Sequence, residues 1–226
     1  MFLYLLLNLG AISIPLLYSF EKNMRFIKDW KAIFLSITIV ATVFLIWDVL
    51  FTANGVWGFN PSYHLSILLF GMPLEEWMFF FCIPYASVFI HYSLAYFKPD
   101  LLISEKATKF ITLFLSIFLL PVIIMNLEKA YTFVNYSFLL FVLLIGFFYG
   151  IKLLQRFYIA FLIILIPFFI VNGVLTGTGI EEPVVWYNNA ENLGIRLGTI
   201  PIEDIGYAFS MIFGNVLLIE RFKKKE

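Results

Sequence analysis

The chain has 226 residues, 62% of them hydrophobic and 13% charged, and its formal net charge is 0. A soluble domain is nearer half apolar and a quarter charged, so water is not the solvent for most of this surface. With no basic face to follow a phosphate backbone, nucleic acid is excluded as a partner, and the single cysteine, Cys82, excludes an intramolecular disulfide framework and most thiolate metal sites.

Crossing a hydrocarbon core of roughly 30 Å takes about 20 mainly apolar residues. Seven segments meet or approach that length, at about 2–20, 32–52, 73–96, 109–126, 133–151, 157–175 and 201–219. The first, within MFLYLLLNLGAISIPLLYSFEKN, lacks the basic residues that precede the apolar core of a signal peptide, and it is expected to be a retained helix. Interior prolines at Pro15, Pro84, Pro121 and Pro167 are expected to mark kinks, which membrane helices tolerate.

Basic residues set the orientation, because short loops rich in Lys and Arg stay cytoplasmic. The first loop carries Lys22, Arg25, Lys28 and Lys31, the third connection Lys98, Lys106 and Lys109, and the fifth Lys152 and Arg156. The tail adds Arg221, Lys223, Lys224 and Lys225, leaving only Lys129 and Arg196 of the 15 basic residues elsewhere. The expectation is an all-α integral membrane protein of seven transmembrane helices in two related halves, with the N-terminus outside and the C-terminus cytoplasmic. It forms one membrane domain, 1–226, with helices one to three in a first half (1–105) and helices four to seven in a second (106–226). Helix one or helix four is left over from a perfect duplication.

The duplication is visible in the loops. After helices two and six come glycine-bearing loops with Trp57 and Trp186, and each leads to a Pro-X-acid-acid start of a helix. These are PLEE at 73–76 and PIED at 201–204, offset by 128 residues. Proline suits the first turn of a helix, and acids there are stabilised by the helix dipole. Capping alone does not explain the recurrence, and ionisable groups in a membrane helix are usually paired or part of a site. Glu75, Glu76, Glu203 and Asp204 are therefore the candidate catalytic residues. Crowded in a site of low dielectric, some of the four are expected to be neutral acids beside ionised carboxylates, the pairing that general acid and base chemistry needs. Such a cluster also suits a hard cation, whereas zinc, with no His or Cys in either doublet, does not fit.

Successive helical residues lie about 100° apart, so one member of each doublet is expected to face a shared cavity. The first acids, Glu75 and Glu203, are taken as the core of the site, assisted by Glu76 and Asp204. Asp48 at the end of helix two, Asn172 in helix six and Glu182 in the second long loop are candidate supports. Trp47, Trp57, Trp77 and Phe79, with Phe80, Trp186 and Tyr207, are candidate substrate contacts, since aromatic faces line an apolar tunnel and stabilise a cation.

This pattern resembles the membrane lycopene cyclases, the flavin-independent family found as two small subunits or as one fused chain. PLEE at 73–76 and PIED at 201–204 carry the resemblance, with Trp57-Gly58-Phe59 and Glu181-Glu182-Pro183 in support. It covers nearly the whole chain, whose length is similar to both subunits joined. The resemblance implies lycopene as substrate and an isomerisation that forms β-ionone rings, giving γ- and β-carotene. A carboxylic acid protonates the terminal double bond, the neighbouring double bond closes the ring on the tertiary cation, and a carboxylate removes a proton. No cofactor and no metal are implied, the partners are lycopene and membrane lipids, and the location is the cell (inner) membrane. A homo-oligomer or contact with other carotenoid-pathway enzymes is compatible with this reading. A carotenoid hydratase or other prenyl-chain enzyme, and a small transporter or ion-binding protein, are the alternatives.

Overall fold

The computed structural model describes residues 2–223, so Lys224 and Lys225 of the expected basic tail lie outside the described residues. Helix α1 is Leu3–Tyr18, and a short 3-10 turn at Phe26–Asp29 leads into α2, Trp30–Ala53. Then follow α3 (Leu74–Phe97), α4 (Glu105–Ile124), α5 (Ala130–Tyr149), α6 (Ile151–Leu175) and α7 (Glu203–Lys223). Six of these are long and apolar enough to cross a membrane. Helix α1, with 16 residues, reaches about 24 Å at 1.5 Å per residue, short of the full hydrocarbon thickness. The protein is a multi-pass membrane protein.

One expected loop is not a loop. Only Gly150 separates α5 from α6, so Lys152 and Arg156 sit in the first turns of α6 rather than in a connection. Glycine is a poor helix former, and here Leu217 of α7 packs 2.8 Å from where a Cβ would stand. The break and the close approach of α7 therefore share one cause.

Helices α3 and α7 are central. The first packs against α1, α2 and α6, the second against α2, α5 and α6, while α4 lies outside against α5 and α6. The core between them is aromatic: Phe157, Phe209 and Phe213 meet with ring centroids 4.8–5.9 Å apart. The outward face of α4 carries Phe110, Ile117 and Ile124 at 69%, 58% and 65% exposure, an apolar surface suited to lipid.

The two long loops contain short strands that position the helix starts. Strands β1 (Trp57–Phe59) and β4 (Val185–Tyr187) come from different loops and pair antiparallel, with Gly58 opposite Trp186. The Trp186 indole lies so close on that strand that a Cβ at position 58 would come within 2.3 Å of it, so Gly58 admits the ring. Two hairpins follow, β2–β3 (Leu68–Leu69 with Met72–Pro73) and β5–β6 (Arg196–Leu197 with Ile200–Pro201). Their tips use Gly71 at φ +82° and Gly198 at φ +64°, left-handed positions that glycine adopts without strain. Each hairpin ends at the proline that precedes an acidic doublet.

Candidate active site

The first acid of each doublet faces back into the loop that delivers its helix. Glu75 accepts the backbone N–H of Leu65 on Oε1 at 2.6 Å, and Asn8 Nδ2 donates to its backbone carbonyl at 2.8 Å. Glu203 repeats the arrangement, accepting the N–H of Leu193 at 2.7 Å while Asn135 Nδ2 donates to its carbonyl at 2.6 Å. The Thr132 hydroxyl adds a second donor to Glu203 Oε1 at 2.7 Å. Both carboxyls are fully buried, and each Oε2 has no hydrogen-bond partner among the described residues. Neither residue lines the cavity. Both act as ties between helix and loop.

The second acid of each doublet, turned about 100° further round the helix, reaches a cavity of about 390 Å³. Glu76 and Asp204 sit at its head with Asp48, and the long walls below come from α1, α3, α6 and α7. The surroundings of the two differ. The Tyr4 hydroxyl donates to Glu76 Oε2, and the buried carboxyls of Glu76 and Asp48 neighbour each other at the cavity head. Asp48 Oδ1 accepts from Trp57 Nε1 at 2.6 Å, while its Oδ2 has no hydrogen-bond partner among the described residues. Two ionised carboxylates have no donor to offer each other. Buried side by side, they are disfavoured as a pair of anions.

Asp204 is surrounded by neutral donors instead. Tyr131 donates through its hydroxyl to Oδ1, and Oδ2 accepts from Asn172 Nδ2 at 3.0 Å and from the Tyr187 hydroxyl at 3.1 Å. Burial, with the Asp204 and Glu76 carboxyls beside it, pushes the Tyr187 phenol well above its usual range, so it remains a donor. Three donors converging on one carboxyl favour its charged form. Among the described residues, no group of three or more His, Cys, Asp or Glu is placed to hold a metal ion.

Of the expected supports, Asp48 neighbours Glu76 and Asn172 touches Asp204. Glu182 lies exposed, accepting from Asn60 Nδ2 at 2.9 Å, and takes no part in the cavity wall. Of the expected aromatics, Trp57, Phe79 and Tyr207 line the cavity. Trp47 and Phe80 stand behind them, with Trp47 stacked on Phe44 at 5.1 Å and both Phe44 and Trp47 edge-on to Tyr207. Trp77 faces outward, bonded to the Leu69 carbonyl at 3.2 Å. Trp186 covers Gly58, as described, and is 44% exposed.

Sequence reasoning missed Tyr187, the neighbour of Trp186 in the second long loop, and it missed Tyr4 and Tyr131, with Asn8 and Asn135 below them. The signal for these last four was present. YLLLN at 4–8 recurs as YTFVN at 131–135, which puts Tyr and Asn one turn apart on one helix face in both places.

A family model described as lycopene cyclase matches residues 1–94 and 128–222 of the chain. None of the curated proteins and none of the solved structures compared with it gives a match.

Proposed function

The chain belongs to the lycopene cyclase family, and on that footing we propose that it closes β-ionone rings with Glu76 as proton donor and Asp204 as the carboxylate that receives the proton lost. The family's reaction is an isomerisation that neither oxidises nor reduces the hydrocarbon. The observation that carries the assignment is the contrast between two buried carboxyls beside each other, Asp48 and Glu76, and a carboxyl held by three neutral donors, Asp204.

The chemistry follows from that contrast. Glu76, kept protonated against Asp48, adds its proton to the terminal double bond and creates a tertiary cation. The next double bond attacks this centre and forms the ring, moving the charge onto it. Loss of a ring proton to Asp204 restores a neutral hydrocarbon, so one proton enters and one leaves for each ring. Phe79, Tyr207 and Trp57 line the head of the cavity, where their ring faces stabilise the passing cation. The apolar walls below exclude the water that would otherwise trap it as an alcohol.

The same reading extends to the architecture. The starts of α1, α3, α5 and α7 and the ends of α2 and α6 meet at the acids, which supports alternating passage of all seven helices. With the basic residues gathered at the opposite end, the acids lie toward the outer leaflet of the cell membrane and the C-terminus is cytoplasmic. Offsets of 127 residues between Tyr4 and Tyr131 and 128 between Glu76 and Asp204 support two related halves. The repeat is then α1–α3 with α5–α7, and α4, which falls in the unmatched stretch 95–127, is the extra helix.

Expression in a lycopene-accumulating bacterium, with pigment analysis by chromatography, tests the function. Wild type is expected to convert red lycopene to monocyclic and bicyclic carotenes, while Glu76→Gln and Asp204→Asn leave lycopene unchanged. Hydroxylated products from wild type would replace the cyclase reading with a hydratase.

A further inference from the structure

The cavity is closed at the acid end and open at its side. Helices α1 and α6 meet beside the acids, where Tyr4, Leu7, Val171 and Leu175 pack together. Farther along they part. Gly10 and Ile14 of α1 and Pro167 of α6 all line the cavity, yet all three are exposed on the outer surface of the bundle, Ile14 at 64%. These positions lie about 9 to 15 Å along the helices from the Tyr4 level, at 1.5 Å per residue, and so well inside the hydrocarbon layer. Two sequence features mark the gap. Gly10 has no side chain, and a Cβ built there meets nothing within 4 Å. Each lip also has a proline inside its helix, Pro15 in α1 and Pro167 in α6, where the ring removes one intrahelical hydrogen bond.

We propose that this cleft between α1 and α6, with Gly10 and Ile14 on one lip and Pro167 on the other, is the doorway by which a linear hydrocarbon enters sideways from the bilayer. The inference rests on the cyclase reading for the identity of the hydrocarbon. Its occupant follows from size and chemistry. A cavity of about 390 Å³ is at the low end of those that hold a drug-sized ligand, roughly 300–1,000 Å³, and it takes one end of a long polyene rather than the whole. The head of the chain sits at Glu76 and Asp204, and the remainder runs along the floor formed by Ile83 and Ala86 of α3 and out through the gap into lipid. An apolar substrate dissolved in the membrane then never crosses water. The two ends of one molecule are processed in separate visits.

Binding, rather than turnover, gives the decisive test. The full chain carrying Glu76→Gln, which cannot protonate the substrate, is purified from lycopene-accumulating membranes, and bound lycopene per protein is read from its absorbance. Adding Gly10→Trp or Ile14→Trp is expected to lower bound lycopene about tenfold or more, as an overfilled apolar site does. Leu9→Trp, on a neighbouring exposed position outside the cavity wall, is expected to bind as the parent does. Two monodisperse doorway variants retaining parental lycopene would overturn the doorway, as would a parent that carries none. Because the readout is occupancy, a wild type that binds lycopene without cyclising it would remove the cyclase reading and leave the doorway standing.

Discussion

The two acidic doublets share a frame and differ in what faces the second acid. In both, a hairpin ends on proline, the first acid holds a backbone N–H ten residues upstream, an asparagine bonds its carbonyl, and a tyrosine reaches the second acid. At Glu76 the remaining neighbour is another carboxyl, Asp48; at Asp204 it is an amide and a phenol. Two buried carboxyls beside each other are disfavoured as a pair of anions, whereas one facing three neutral donors is best satisfied as an anion. Repetition supplies the scaffold twice, and in the proposed mechanism the substitution of one neighbour is what separates acid from base.

The largest expected effect comes from removing either function. Glu76→Gln and Asp204→Asn keep shape and lose the proton-transferring group, so turnover per folded protein should fall about 10²–10⁴-fold. Equal loss in the two supports a division of labour; full activity in either removes that residue from the chemistry. Asp48→Asn comes next. Its amide donates to Glu76 and so favours Glu76 as the carboxylate, the wrong form for an acid. A loss of roughly 10–100-fold is expected, the scale of a hydrogen bond involving a charged group, with little change in thermal stability. If the asparagine variant turns over like wild type, the neighbouring carboxyl is not the source of acidity.

Much of this arrangement was legible before any coordinates. Apolar run length gave the helices, and PLEE and PIED marked where two of them begin at a common site. Which acid faces the cavity was not legible. It depends on the phase of α3 and α7, and each step along a helix turns a side chain about 100°, so a one-residue uncertainty in helix start exchanges Glu75 for Glu76. The hairpins set that phase, and their short strands, two residues each, have no periodicity to read. Glu182 and Trp186 suggested site residues because they flank the doublet in sequence, but the pairing of β1 with β4 turns Trp186 outward over Gly58.

The first acids break or sharpen the comparison from the opposite side, because the geometry gives them one role in both places. Glu75→Gln and Glu203→Gln retain an acceptor oxygen for Leu65 and Leu193 and should keep turnover within about twofold. Glu75→Ala and Glu203→Ala leave those buried N–H groups unpaired, at a cost of about 1–3 kcal/mol visible as a lowered midpoint of thermal unfolding in detergent. Loss of turnover in both glutamine variants at unchanged stability would restore the first acids to the centre of the chemistry, as the sequence led one to expect.

The smallest effect discriminates most finely, because it compares two residues that occupy matching places. Tyr131→Phe removes one of three donors from Asp204, and the Asn172 amide and Tyr187 hydroxyl still hold the anion. A few-fold loss is expected, corresponding to about 1 kcal/mol for one hydrogen bond of several. Tyr4→Phe removes the hydroxyl that fixes Glu76, whose carboxyl has no other neutral hydrogen-bond donor among the described residues. The Glu76 carboxyl then has freedom to reorient, and the loss should exceed that of Tyr131→Phe. Side-by-side initial rates in membranes of equal protein content decide the ordering. Equal losses would mean that the two tyrosines serve equivalent acids, and the asymmetry argued from Asp48 would have to be given up even if both second acids proved essential.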